Sequence, residues 1–226
     1  MLSKRIIPSL LHKGTSLRKG EKWDNSRVVG NVMQAARTHA ARGVDELLIL
    51  DVFATQEGRG PDFALIEKMS EENFAPIAVG GGIKTVADVK RLLRSGADKV
   101  VIGTEYQIIR ECADRFGCQA IVAAVAGDHV ELSRFLAKEG AGEILLFDRD
   151  REGTMTGYNI ELVRSVCNAV DVPVIVASGC SGYEDMYKAI KAGANAVSAG
   201  ALFQFTDATP KEAAKYLSDN GIETRL

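Results

Sequence analysis

APIAVGGGIKTVADVKRLLRSGADKVVIG, residues 75–103, reads as an apolar strand, a glycine turn, an amphipathic helix and a second strand without a break. The stretch VPVIVASGCSGYEDMYKAIKAGANAVSAG, residues 172–200, follows the same plan 97 positions later. APIAVGGG (75–82) matches VPVIVASG (172–179), and GADKVVIG (96–103) matches GANAVSAG (193–200). GVDELLILD (43–51) matches GAGEILLFD (140–148) at the same offset. A constant offset over three strand–turn units indicates a duplicated half rather than chance.

Outward from this unit, short apolar runs alternate with stretches of helical periodicity, the mark of parallel strands covered by helices. Eight strands are expected: Arg5–Leu10, Glu46–Asp51, Ala75–Val79, Lys99–Ile102, Ala120–Val125, Glu143–Phe147, Val174–Ala177 and Ala196–Ala199. The amphipathic segments VADVKRLLRSG (86–96) and YEDMYKAIKAG (183–193) each end on a glycine, where a helix C-cap belongs. Eight alternations predict an α/β fold: a single (β/α)8 TIM barrel over residues 1–226, with a two-fold half-barrel repeat. The first and fifth strands break the repeat. Leu11 stands much further from Glu46 than Ala126 does from Glu143, so the loop after the fifth strand is the shorter one. Only Gly127 and Asp128 are expected between that strand and the next helix.

A chain of 226 residues can bury a core without a disulfide or metal. Its net charge of −2 gives no electrostatic case for nucleic acid or an anionic membrane. Apolar runs such as Ala120–Ala126 fall far below the roughly 20 residues of a membrane span. MLSKRIIPSLL opens a strand-like run with no small-residue cleavage site, so no signal peptide is expected. Cys112, Cys118, Cys167 and Cys180 lack metal-ligand spacing and read as reduced thiols. The expectation is a cytoplasmic protein without cofactor or metal.

Two glycine clusters follow the third and seventh strands (Gly80, Gly81, Gly82; Ser178, Gly179, Ser181, Gly182), and small-residue turns follow the fourth and eighth (Gly103, Thr104; Ala199, Gly200, Ala201). Glycine lets backbone N–H groups approach a phosphate, and a helix N-terminus behind them adds a favourable dipole. Tight βα turns favour glycine without any ligand, but two clusters related by the repeat point to phosphate binding, with one phosphate or two. At the other end, Arg5, Glu46, Lys99 and Glu143 each open a strand with the parity of the inward-facing Ile7, Leu48, Val101 and Leu145. They could close a neutral ring, or snorkel to solvent as ordinary strand-end charges. Acid–base candidates are few. Asp51 and Asp148 end the second and sixth strands, with Asp150, Glu152 and Thr154 close behind. His12 and Lys19 read as first-loop residues, and no Ser–His–Asp or Cys–His set is suggested.

DELLILD, VGGGI, GADKVVI, RFGCQA, GAGEILL and EGTMTGY, together with the opening MLSKRII, resemble the cyclase subunit of imidazole glycerol phosphate synthase (HisF). That subunit is the synthase half of a glutamine amidotransferase. The resemblance implies that Arg5, Glu46, Lys99 and Glu143 form a gate for ammonia from a docked HisH-like glutaminase; Asp98, beside Lys99 and so at the rim, is then expected at the partner interface. It implies one phosphate site at Gly82, Gly103 and Thr104 and another at Gly179, Ala199 and Gly200. Lys19 matches the family's mobile-loop lysine, and Asp51 a polar active-site position.

The departures fall on the chemistry. The family's two catalytic aspartates are replaced by Leu11 and Ala126, its acidic turn carries Glu152, and Phe147 stands where a threonine is expected. A positioned acid or base contributes about 10²–10⁴-fold, so cyclase activity is not expected. With IIPSLL and EGRGPDF, the chain is most similar to the cyclase-like paralogs of surface-polysaccharide gene clusters. That similarity implies a further partner, an amidotransferase acting on an amino sugar. Histidine-pathway cyclase or a stand-alone phosphosugar enzyme using Asp51, Asp148 or Glu152 are the alternatives.

Overall fold

The computed structural model describes residues 3–22, 24–72 and 75–225, so the first two residues of MLSKRII lie outside it. Eight parallel strands close on themselves. In chain order they are β1 (Arg5–Lys13), β4 (Leu47–Asp51), β5 (Ile77–Gly80), β6 (Lys99–Ile102), β7 (Ile121–Ala126), β8 (Glu143–Phe147), β9 (Val174–Ala177) and β10 (Ala196–Ala199). Each pairs with the next, and β10 returns to β1 with Arg5 opposite Ala196. A closed sheet leaves no free barrel edge, and the result is the (β/α)8 TIM architecture.

Helices α1 (Val32–Ala41), α2 (Phe63–Glu71), α3 (Val86–Arg94), α4 (Ile109–Phe116), α5 (Val130–Lys138), α6 (Ile160–Cys167), α7 (Tyr183–Lys191), α8 (Ala201–Phe205) and α9 (Pro210–Asp219) cover the barrel. Their apolar stripes and the outward strand residues, including Ile6, Leu10, Ile49 and Val100, make the larger core. A second, smaller core fills the barrel itself, built from Ile7, Leu48, Ala78, Val101, Val122, Leu145, Ile175 and Ala196. No helix among the described residues is long and apolar enough to cross a membrane. Cys112 and Cys180 are buried, Cys118 is exposed, and all four cysteines are free.

The repeat is visible in the bonding. Helices α3 and α7 begin 97 residues apart, and Gly96 and Gly193 follow them at φ +102° and +117°, a region open to glycine at little cost. The Asp98 carboxylate accepts from Ile77 N at 2.8 Å, and the Asn195 amide oxygen accepts from Val174 N at 3.1 Å, at the same offset. Asp88 accepts from Lys84 N, and Asp185 accepts from Ser181 N, again 97 apart.

Three expectations need correction. The first strand runs on to Lys13, and what was read as a first loop is a hairpin: β2 (Ser16–Glu21) and β3 (Asp24–Asn31) extend the sheet beyond β1. Gly14, at φ +53°, supplies the positive φ that a two-residue hairpin turn requires first. Lys19 therefore sits on a strand. His12 does too: it is 2 % exposed, its Nδ1 lies 2.9 Å from Gly14 O, and burial lowers its pKa. Glu46 precedes its strand rather than opening it, and the strands expected at Ala75 and Ala120 begin at Ile77 and Ile121. The loop after β7 is short but one residue longer than expected, with Gly127, Asp128 and His129 before helix α5 at Val130.

Candidate functional site

At the C-terminal ends of the strands lies a cavity of about 370 Å³. Leu11, Leu50, Ala124, Ala126, Phe147 and Ala177 give it an apolar wall, and Gly82, Gly103 and Thr104 come together on one side. The other turn cluster, Gly179, Ala199 and Gly200, lines an adjoining space of only about 10 Å³ together with Ser9, Glu152, Ser178 and Ser198. Both sets that the resemblance implied are thus brought together, one lining a roomy space and one a filled space.

Two of the helix termini behind these turns, those of α3 and α7, are occupied by the protein's own carboxylates. Asp88 and Thr85 form a capping box at α3, and Asp185 takes the Ser181 N–H and hydroxyl before α7. An anion at the Gly82 or Gly179 turn would therefore be held by turn amides and side chains rather than by the α3 or α7 dipole, whereas α8, which starts directly after Gly200, has no side-chain cap.

The acid–base candidates separate sharply. Asp51 is buried beside the cavity, but its Oδ1 accepts from Phe53 N and Ala54 N at 3.1 Å each, and both its oxygens are held by Arg59 at 3.0 and 3.3 Å. Its carboxylate is committed to folding the turn above β4. Asp150 is exposed and lines neither space, so its candidacy is withdrawn. Asp148 likewise lines neither and lies 3.5 Å from Asn159 and from Arg151. Thr154 donates to Arg151 O at 2.9 Å, a turn-stabilising bond. Glu152 faces the site: its Oε2 accepts from Ser178 Oγ at 2.7 Å, and its Oε1 lies 3.5 Å from Lys19 Nζ. Leu11 and Ala126, where the resemblance calls for aspartates, both line the cavity and offer no proton.

Two residues at the site, Ser9 and Arg149, were missed by sequence reasoning, and a third, Ser178, was named only as part of a glycine-rich turn. Ser9 lines both spaces from the interior of β1. Ser178 adopts φ +76°, where its repeat counterpart is Gly81 at φ +112°. A left-handed serine costs about 1–2 kcal/mol, so its hydroxyl is kept at some expense. Arg149 lines the cavity from the loop after β8. The repeat marks Ser178 as more than a turn residue, since it is the non-glycine half of a glycine pair.

At the opposite end the four charges close into a ring. Arg5 Nη1 donates to Glu46 Oε2 at 2.6 Å and Nη2 donates to Glu143 Oε1 at 2.8 Å. Lys99 Nζ completes the circuit to Glu46 Oε2 at 2.9 Å and to Glu143 Oε2 at 3.1 Å. Burial works against the Arg5 charge, but Glu143 and Glu46 more than offset it and raise its pKa. Among the described residues, the aliphatic inner core lies between ring and cavity. Asp98 is exposed at the start of β6, one oxygen bonded to Ile77 N.

Known proteins share this plan. A family described as "Histidine biosynthesis protein" matches residues 5–209. "Imidazole glycerol phosphate synthase subunit HisF" of Dictyoglomus thermophilum is 38% identical, with all of each chain covered, and that of Dictyoglomus turgidum is 37% identical over the same extent. The Thermococcus gammatolerans protein of the same name is 36% identical, covering all of this chain and 99% of its own.

Proposed function

The chain belongs to this histidine biosynthesis protein family, and on that premise we propose that it is a HisF-like synthase subunit whose barrel conducts ammonia but does not cyclise. A HisH-like glutaminase docks on the N-terminal face, with Asp98 at the contact. Ammonia passes the Arg5–Glu46–Lys99–Glu143 ring into the aliphatic sleeve. The sleeve favours this cargo physically: neutral ammonia crosses it, whereas an ion would leave its solvation behind at a cost of many kcal/mol. A phosphorylated ligand occupies the cavity, and the delivered nitrogen serves amino-sugar modification by a further amidotransferase in surface-polysaccharide synthesis.

The observation that carries this reading is the pairing of a closed charged ring with a cavity wall that has Leu11 and Ala126 at its two decisive positions. The experiment supplies ammonium salt and the histidine-pathway intermediate to the purified protein, bypassing any partner. No cyclised product is the expected result. Turnover at the rate of a true cyclase favours the second reading, histidine-pathway cyclase, which rests on full-length matches to proteins carrying the HisF name. In that case Glu152, among the described residues the one carboxylate lining the site without a bond to Arg59, is the residue to substitute first.

A further inference from the structure

The two turn clusters are equivalent by the repeat and unequal in what they can hold. Beyond Gly103 the space is open: a Cβ there would meet only the Ala124 methyl, at 3.8 Å. Beyond Gly200 the space is taken, since a Cβ there would collide with Lys19 Nζ and crowd Ser9 Oγ. Lys19 is 3 % exposed and is brought in by the hairpin, which clasps the loop after β8 through a bond from Lys22 N to Glu152 O at 2.8 Å. Glu152 then fills the anion position beside it, held by the Ser178 hydroxyl and the ammonium. A hydroxyl and a cation converging on one oxyanion is phosphate-type recognition satisfied by a carboxylate. One donor is left over: Ser198 Oγ is fully buried on the same small space and has no hydrogen-bond partner among the described residues.

We infer that Glu152 sets how many phosphates the ligand can carry: its carboxylate acts as a resident anion at the Gly179–Gly200 turn, so the site takes a monophosphate, seated at Gly82, Gly103 and Thr104. A second phosphate has to expel Glu152, because two anions cannot share Lys19 without strong repulsion. The pair also explains why Lys19 tolerates burial, as a lone ammonium there would go unneutralised. The inference rests on the reading that these turns bind phosphate.

Crystals grown in millimolar inorganic phosphate locate each site separately, and calorimetry with 1,3-propanediol bisphosphate measures the pair. Wild type should show phosphate only at the Gly82–Gly103–Thr104 turn. Glu152→Ala should add phosphate at the second turn and bind the bisphosphate at least about tenfold tighter. Lys19→Ala in that background should remove the gain. Glu152→Gln, which keeps the size and loses the charge, should show the gain more weakly and covers the case in which the alanine variant loosens the hairpin. If wild type fills both turns, or neither Glu152 variant gains the second, the assignment to Glu152 is overturned while the phosphate reading stands. Phosphate at neither turn in any variant overturns both.

Discussion

His39 shows how one side chain can set a pH limit. It is 4 % exposed, its ring meets Phe203 edge-on, and its Nδ1 has no partner among the described residues. Burial, with Arg42 nearby, lowers its pKa to about 4. Above pH ~6.5 the residue is neutral in both folded and unfolded chains. Between that pH and about 4 the unfolded chain takes up a proton that the folded one refuses, so stability falls with falling pH. The loss should reach about 2–3 kcal/mol at the lower limit. Urea unfolding at pH 7, 6 and 5 should show the decline, and His39→Leu should flatten it. His12 is shifted the same way, so a residual slope is expected from it. An unchanged slope in His39→Leu would remove His39 as the cause. Neither histidine's burial was legible in the sequence: His12 looked like a loop residue because nothing local to it announces the strand it extends.

At the scale of elements, the repeat was the legible part, and its bonding offers a matched pair of tests. Asp98 and Asn195 each supply an acceptor to the first amide of a neighbouring strand. Asp98 is exposed, so water can replace it, whereas Asn195 is half-buried. Asn195→Ala should cost about 2 kcal/mol and Asp98→Ala about 1, measured by denaturant unfolding. Equal costs would mean that burial does not control the term. The strands of the repeat could be placed because β-branched runs, glycine turns and amphipathic helices agree with one another there. The hairpin β2–β3 could not. SLRKGE and DNSRVVGN are polar, and of β2 only Leu17 and Lys19 are buried, on one face, so no alternation stands out. The Lys19–Glu152 pair was equally hidden, since it joins residues 133 apart through that hairpin.

For the whole molecule, the ring and the cavity lie at opposite ends of one aliphatic core, and Lys99 tests whether they are coupled. In Lys99→Ala, Arg5 still bridges both glutamates, so the barrel should fold with a loss of about 1.5–3 kcal/mol. With a glutaminase partner, glutamine hydrolysis should persist while ammonia escapes to solvent instead of reaching the cavity. A coupled assay reads the ratio of free to transferred nitrogen, and an unchanged ratio would reduce the ring to a structural ion cluster. The ring could be anticipated from strand parity, whereas its closure depends on distances between four strands that no local pattern encodes. The rim of the cavity, finally, has a direction. On the β1 side it is walled by the hairpin, clasped to the loop after β8. Beyond β7, four strands around an eight-strand circuit and so diametrically opposite, there is only the low step from Gly127 to His129. A molecule too long to be swallowed whole meets the hairpin on the β1 side and only this low step on the other, so the barrel gives a compass bearing to whatever projects from it.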